Sequence, residues 1–306
     1  MNVDELSDTD QYNPSPSGPA MQARRSSVSI QADIAGLSHR GNVRPNNEDH
    51  FLTCHFGRFL RTLSTNLPED QMPPDHGETG YGMIVADGIG GRAAGEAASR
   101  MAISLLVELA IQTPDWIMAP DEALMEEVIT RAAGRFSAVN EAIVERARQD
   151  SGLTGMGTTL TMALSVGADL LIAHVGDSPA YLYRQGELHK LTRDHTVAQA
   201  MADSGLDSER DVVPHRLQHM LTQAIGIQGV GADPEFRRVR LADGDRLLLC
   251  TDGLTEMVDD AMIATELGRQ TSAAEACRAL IDLALDRGGK DNVTVVVADY
   301  RIPSGP

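Results

Sequence analysis

The chain has little cysteine: Cys54, Cys250 and Cys277 are the only three in 306 residues. An odd number at wide spacing supplies neither a disulfide framework nor a paired-cysteine metal site, and it fits a reducing cytoplasm. Long apolar runs are missing as well; none reaches the roughly 18 residues of a membrane span. The opening MNVDELSDTDQYNPSPSGPA lacks the basic and apolar regions of a secretory leader. Positive charge is scarce, with 26 Lys and Arg against 44 Asp and Glu and a net charge of −18. Such a surface repels nucleic acid and anionic membranes, so neither is expected as a partner. The glycine-rich DGIGG at 87–91 has no following GK[ST] and no G-x-G-x-x-G spacing, which argues against a nucleotide-phosphate cradle.

What is present divides the chain. Residues 1–31 are rich in Ser, Pro, Asp and Gln, and are expected to form a disordered tail. Within them RRSSVS, 24–29, reads either as a basic-directed kinase site or as a chance basic patch. From Ala32 the pattern turns globular, and 57–78, with three prolines, reads as a loop excursion. Helices are predicted over 94–111, with Met101, Leu105 and Leu109 on one face, and over 121–149. The second carries Leu124, Val128, Ala132, Phe136, Val139 and Ile143 at spacings of three and four, with Asp121 at the N-cap position.

Strands are predicted at 158–164, 169–175, 180–184, 187–191, 235–241, 246–250 and 292–300, with a hairpin turn at Gln185-Gly186. Residues 195–221 read as a mostly helical, polar flap. Ser272 and Glu275 form a capping-box pattern ahead of a helix that runs to about Asp286. Length alone suggests about two domains. The order of elements, helices then strands then helices then a strand, predicts α+β layers.

Four aspartates share one context. Asp87 follows MIVA, Asp177 follows IAHVG, Asp252 follows LLLCT, and Asp291 precedes NVTVVVA. Glu48 and Asp49 precede another apolar step. A single aspartate at a strand end is an ordinary turn former. Several together on rigid apolar strands can converge, and converged carboxylates repel unless protonated or neutralised. Hard divalent cations, Mg²⁺ or Mn²⁺, prefer such oxygen donors. Two such ions about 3.5–4 Å apart share and acidify a water and clamp an in-line displacement at phosphorus. Arg44, close to Glu48 in sequence, is a candidate phosphate fork.

These residues lie in segments that resemble the metal-dependent protein phosphatase 2C family in its bacterial serine/threonine form. The segments are GNVRPNNEDHF (41–51), VADGIGGRAAGEAAS (85–99), GMGTTLT (155–161), AHVGDSPAYLYRQGELHKLTRDHT (173–196), LTQAIGI (221–227), DRLLLCTDGLTEMV (245–258) and GGKDNVTVVVADY (288–300). They occur in family order. The resemblance implies one catalytic domain over 32–301, an α-β-β-α four-layer sandwich of two antiparallel sheets flanked by helices, with a flap at about 195–221. It implies a dinuclear Mn²⁺ or Mg²⁺ centre and a third, weaker ion. By the same resemblance Asp87 bridges both ions and Gly88 lends its carbonyl to the second. Asp252 and Asp291 serve the first ion, Glu48 serves the second, and Asp49 holds ligand water. Asp177 shares the third ion with Asp252, and Arg44 binds the phosphate. A monomer acting on phosphorylated Ser/Thr proteins is implied, opposite a cognate kinase.

The chain departs from the family at two positions. Arg92 stands where histidine, linked to protonation of the leaving oxygen, is common, and Pro179 stands where arginine commonly follows GDS. Arginine does not donate its proton at neutral pH, so either Arg92 stabilises leaving-group charge or water on a metal acts as the acid, and reduced or substrate-selective activity is expected. The alternative is a pseudophosphatase or sensor module that binds phosphoproteins without hydrolysis. The retained Asp87, Asp252 and Asp291 argue against that alternative.

Overall fold

A computed structural model describes residues 30–64, 66, 68, 76–90, 93–112, 122–205 and 219–302. Residues 1–29 of the expected disordered tail, with RRSSVS, Asp121 and 206–218 of the expected flap, lie outside the described residues; the tail expected to run to residue 31 ends earlier, because Ile30 is buried and Gln31 opens the first strand. The strands in chain order are β1 (Gln31–His39), β2 (His50–Leu60), β3 (His76–Ala86), β4 (Gly88–Ile89), β5 (Gly157–Thr158) and β6 (Leu160–Val166). They continue as β7 (Asp169–Val175), β8 (Ala180–Arg184), β9 (Glu187–Lys190), β10 (Glu235–Arg240), β11 (Arg246–Cys250) and β12 (Val293–Arg301). The helices are α1 (Ala93–Gln112), α2 (Glu122–Gln149), α3 (Val197–Asp203), α4 (Asp252–Thr255), α5 (Asp260–Arg269) and α6 (Ala273–Asp286).

One sheet has the order β1-β12-β11-β8-β9 and the other β10-β7-β6-β3-β2, with every pairing antiparallel. The two pack face to face over Met83, Val85, Leu170 and Ile172 on one side and Leu247, Leu249, Val296 and Tyr300 on the other. The intervening residues point outward, and outward is also buried. Ile84 and Ala86 meet α1 and α2, while Leu248, Cys250 and Val295 meet α5 and α6. Covering both faces explains why MIVA, LLLC and VTVVVA are continuous apolar runs rather than alternating ones. The result is the four-layer sandwich that the resemblance implied.

Local chemistry fixes several boundaries. Gln185 and Gly186 adopt φ 54° and 91°, the positive pair that a two-residue type I′ turn between β8 and β9 requires. Ser272 accepts the Glu275 N–H at the start of α6, and Glu275 reaches back to the Thr271 N–H and hydroxyl. Among the described residues no helix is long and apolar enough to cross a membrane.

Three expectations are corrected. The excursion expected at 57–78 is partly hairpin, because β2 runs to Leu60 and β3 begins at His76, with Arg58 opposite Glu78. β2 is an edge strand, and its far end carries no alternation that a sequence pattern could report. In α1 the buried row is Ala98, Ala102, Ile103 and Leu106, whereas Met101, Leu105 and Leu109 are only partly buried at its margin. Small alanines bring the helix close to the sheet, so its core face is the one with the smaller side chains. In the flap only α3 is helical among the described residues, and α5 has no counterpart in the sequence reading. On α2, Ala132, Phe136, Val139 and Ile143 are buried as expected.

Phe136 is fully buried between α2 and the sheet. Phe136→Ala is expected to remove about 3–5 kcal/mol of stability. An unchanged urea midpoint would contradict the packing of α2 on that sheet.

A carboxylate-rich candidate active site

Antiparallel strands return to the same rim, and the acidic residues sit there. Asp87 follows β3. Its N–H donates to Thr159 Oγ1 at 3.0 Å, and its carbonyl accepts Thr159 N–H at 2.9 Å and Thr158 Oγ1 at 2.7 Å. Asp177 follows β7 across Gly176, and its neighbour Ser178 is buried against Thr159 Oγ1 at 2.7 Å. Asp252 opens α4 after β11, and Asp291 precedes β12. Asp49, only 4 % exposed, precedes β2 and accepts Thr251 and Thr294 hydroxyls, each at 2.8 Å. The rim thus draws from both sheets.

Asn292 ties the Arg44–Asp49 segment to this rim. Its Oδ1 accepts the Glu48 N–H at 2.8 Å, and its Nδ2 donates to the carbonyls of Arg40 and Asn46 at 2.9 and 2.8 Å. Arg44 Nη2 donates to Asp291 Oδ2 at 2.5 Å, with the arginine side chain still 56 % exposed. The glycine after Asp87 has a packing reason. A Cβ on Gly88 would overlap the Gly95 backbone and lie 2.7 Å from the Glu48 carbonyl, and one on Gly95 would overlap the Glu48 carboxylate. The Gly88–Gly95 contact therefore lets the start of α1 abut β4 with Glu48 between them.

The electrostatics are those of crowded anions. Burial raises Asp49 to about 7, against the two threonine hydroxyls and reinforced by the charges of Asp252 and Asp291. Burial, then the charges of Glu256 and Asp291, brings Asp252 to about 6. Asp87 is raised well above the ordinary carboxylate range by burial, then by Asp49, Asp252, Asp177 and Asp291. Asp177 is raised likewise by burial, then by Asp252, Asp194 and Glu256. Arg44 is raised by its hydrogen bond to Asp291 and by the charges of Asp291, Glu48 and Asp87. Seven residues singled out in sequence, Arg44, Glu48, Asp49, Asp87, Asp177, Asp252 and Asp291, thus share one field.

A hard divalent cation fits this donor set. Asp49 Oδ1 and Asp252 Oδ1 are shielded from solvent and have no hydrogen-bond donor. The converging groups are oxygens, with no thiol among them, and a cation would relieve both the repulsion and the orphaned acceptors. His219, Asp252 and Glu256 also place one ligand atom each within 4.8 Å of one another.

Arg92 lies outside the described residues. Pro179 is buried, and its carbonyl accepts the Cys250 N–H at 3.1 Å. Sequence reasoning missed Asn292, the hydroxyls of Thr158, Thr159, Thr251 and Thr294, and the neighbours Asp194, His219 and Glu256. The available signal was a small polar residue beside an acidic one, as in DN and CTD; the TT pair has no acidic neighbour in sequence and carried no such signal.

The description "Protein phosphatase 2C" belongs to the family model that matches residues 67–285. The serine/threonine protein phosphatase PstP of Mycobacterium tuberculosis is 35% identical over 272 residues, covering 89% of this chain and 46% of PstP. The chain thus spans about half of that relative's length. The serine/threonine phosphatase stp of Listeria monocytogenes is 36% identical over 217 residues, 71% of this chain and 83% of stp. Among solved structures, the S. agalactiae serine/threonine phosphatase aligns with TM-score 0.70 and 30% identity over 88% of this chain and 99% of its own. The catalytic domain of PstP in complex with two manganese ions aligns with TM-score 0.67 and 33% identity, over 89% and 100%.

The raised carboxyls have a consequence for stability. Each has a folded value above its ordinary value near 3.8, so the folded state binds protons more readily than the unfolded chain. Their contribution is complete below about 4 and is lost as pH rises through 6 to 7. Chelator-treated protein is expected to show a urea midpoint that falls between pH 5 and pH 8, and added Mn²⁺ is expected to flatten that slope. A midpoint that rises across this range without metal would contradict the crowding described here.

Proposed function

The chain belongs to the protein phosphatase 2C family, and from that premise we propose that it is a metal-dependent serine/threonine phosphoprotein phosphatase. The carrying observation is the convergence of Glu48, Asp49, Asp87, Asp177, Asp252 and Asp291 beside an exposed arginine. Asp87, the Gly88 carbonyl, Glu48, Asp252 and Asp291 would hold two Mn²⁺ or Mg²⁺ ions, and Asp177 with Asp252 a third. The two manganese ions of the PstP catalytic domain support this reading. When bound, such ions supply Lewis-acid charge and a water of lowered pKa for in-line displacement at phosphorus.

The chain's own groups do the positioning. Asp49, fixed by Thr251 and Thr294, presents its remaining oxygen to the centre. Arg44 is held at the mouth by one nitrogen on Asp291, and its exposed guanidinium would donate to a phosphate as a fork. No side-chain nucleophile is required. Cys250 and Cys277 are buried, and burial pushes both thiols up, Cys277 to about 12, so neither is a thiolate at neutral pH. Arg92 would stabilise charge on the leaving oxygen. Phosphorylated Ser/Thr proteins are the partners, with a cognate kinase opposing; 195–221 is read as the flap that selects among them. The sensor reading draws support from Arg92 alone.

The purified chain is expected to hydrolyse p-nitrophenyl phosphate when Mn²⁺ is added and to stop when chelator is added. Asp87→Asn and Asp252→Asn should reduce turnover to background, and Arg44→Ala should lower kcat/KM about 10–100-fold, the worth of a charge-assisted hydrogen bond. Metal-independent turnover, or wild-type rates in both aspartate variants, would sink the proposal. Arg92→His is expected to raise kcat for alkyl phosphates by about 10²-fold or more, the low end of general-acid contributions. An equal effect on aryl and alkyl leaving groups would show that position 92 is not the acid site.

A further inference from the structure

A polar cavity of about 440 Å³ adjoins the carboxylate rim at the base of α3. Its walls include Arg193, Asp194, His195, Gln223, Asp233 and Glu235. Two hydrogen bonds fix it against the site: the His195 N–H donates to the Gly176 carbonyl at 2.8 Å, and the Gly176 N–H donates to His195 Nδ1 at 3.2 Å. Gly176 immediately precedes Asp177. On the other side Glu235 opens β10 opposite His174 of β7. The cavity and the phosphate site therefore share a wall.

Its donors and acceptors do not balance. Arg193 is engaged by Asp203, another wall residue. His195 accepts on Nδ1, which leaves its proton on Nε2, 3.9 Å from Glu235. Thr196 Oγ1 accepts the Gln199 N–H as the N-cap of α3, and its hydroxyl, like that of Thr222, offers only a neutral donor. On the acceptor side, Lys190 takes Asp194 Oδ2 at 2.7 Å, but Asp194 Oδ1 has no donor, and neither has Gln223 Oε1. Asp233 is exposed and has no ion-pair partner among the described residues. Four carboxylates, those of Asp194, Asp203, Asp233 and Glu235, thus face one wall arginine and one lysine from outside. What the cavity lacks is a cationic donor.

We propose that this cavity is a substrate subsite for a cationic side chain, arginine in preference to lysine, on the same peptide as the phosphorylated residue. The inference rests on the phosphatase reading above and names the substrate class for it. A guanidinium carries five donors in a planar fork and can serve separated acceptors together, whereas an ammonium acts as a point charge. A second phosphate on the peptide would be repelled.

The test uses the full chain with Mn²⁺ and phosphothreonine peptides with alanine flanks. A single Arg or Lys is moved through each flanking position, and kcat/KM is measured. Arg at one position or two adjacent ones is expected to raise kcat/KM about tenfold, as for a hydrogen bond to a charged group, and Lys less. Gln223→Leu and Asp233→Asn should each reduce that gain to threefold or less while p-nitrophenyl phosphate turnover stays unchanged. If Gln223→Leu lowers aryl phosphate turnover, the exposed Asp233→Asn decides. A flat scan with normal aryl phosphate turnover overturns the subsite alone, as does a gain that survives Asp233→Asn. Absence of aryl phosphate turnover with Mn²⁺ overturns the phosphatase reading instead.

Discussion

The repulsion between carboxylates at one rim is the interaction on which the rest of this structure depends. Burial, and then the charges of neighbouring carboxylates, raise the proton affinity of Asp49, Asp87, Asp177 and Asp252. Left to itself such a cluster would spread. It is held by strands covered on both faces, whose ends have little freedom, and by a polar lattice that binds backbone rather than charge. Thr158 and Thr159 grip the Asp87 peptide, Ser178 locks the Asp177 turn, and Asn292 straps the Arg40–Glu48 loop to the start of β12. These groups are nearly neutral and fully engaged, so they constrain geometry without adding to the anionic field.

The same constraint explains which parts of the fold could be read from sequence. β7, β8 and β11 were legible with their observed boundaries because both of their faces are buried and their ends carry glycine, aspartate or a Gln-Gly turn. The helix after Ser272 was legible because its cap chemistry is local. What escaped depends on partners distant in the chain. The buried row of α1 is chosen by how close an alanine face lies to the sheet, not by the spacing of its large residues. The extension of β2 and β3 to Leu60 and His76 depends on mutual pairing at a sheet edge.

The site divides in the same way. Its charged members could be listed from sequence because aspartate after an apolar run is conspicuous, and family order placed them together. Asn292 was not, although its side chain makes three hydrogen bonds at the rim, because an asparagine beside an aspartate reads as half of a turn. In sequence the glycines of DGIGG could only be excluded as a nucleotide-phosphate cradle. The structure adds that Gly88 meets Gly95, so the motif sets the distance between α1 and the strand end, with Glu48 in between. A motif that looks like one loop in sequence is therefore half of a contact whose other half begins seven residues later.

On the proposed reading, chemistry and recognition occupy different parts of this architecture for a physical reason. The rim carries so much repulsion that its geometry has to be over-determined, and any change there disturbs several groups together. Among the hydrogen bonds described, the cavity beneath α3 is joined to the rim through the Gly176–His195 contacts, and Asp194 also acts on Asp177 by charge, whereas Gln223 and Asp233 have no such link to it. Residues such as Gln223 and Asp233 can therefore vary without moving Asp177. On the proposed reading, phosphate chemistry stays fixed by two sheets, and the choice of peptide rests with the less constrained segments that border them.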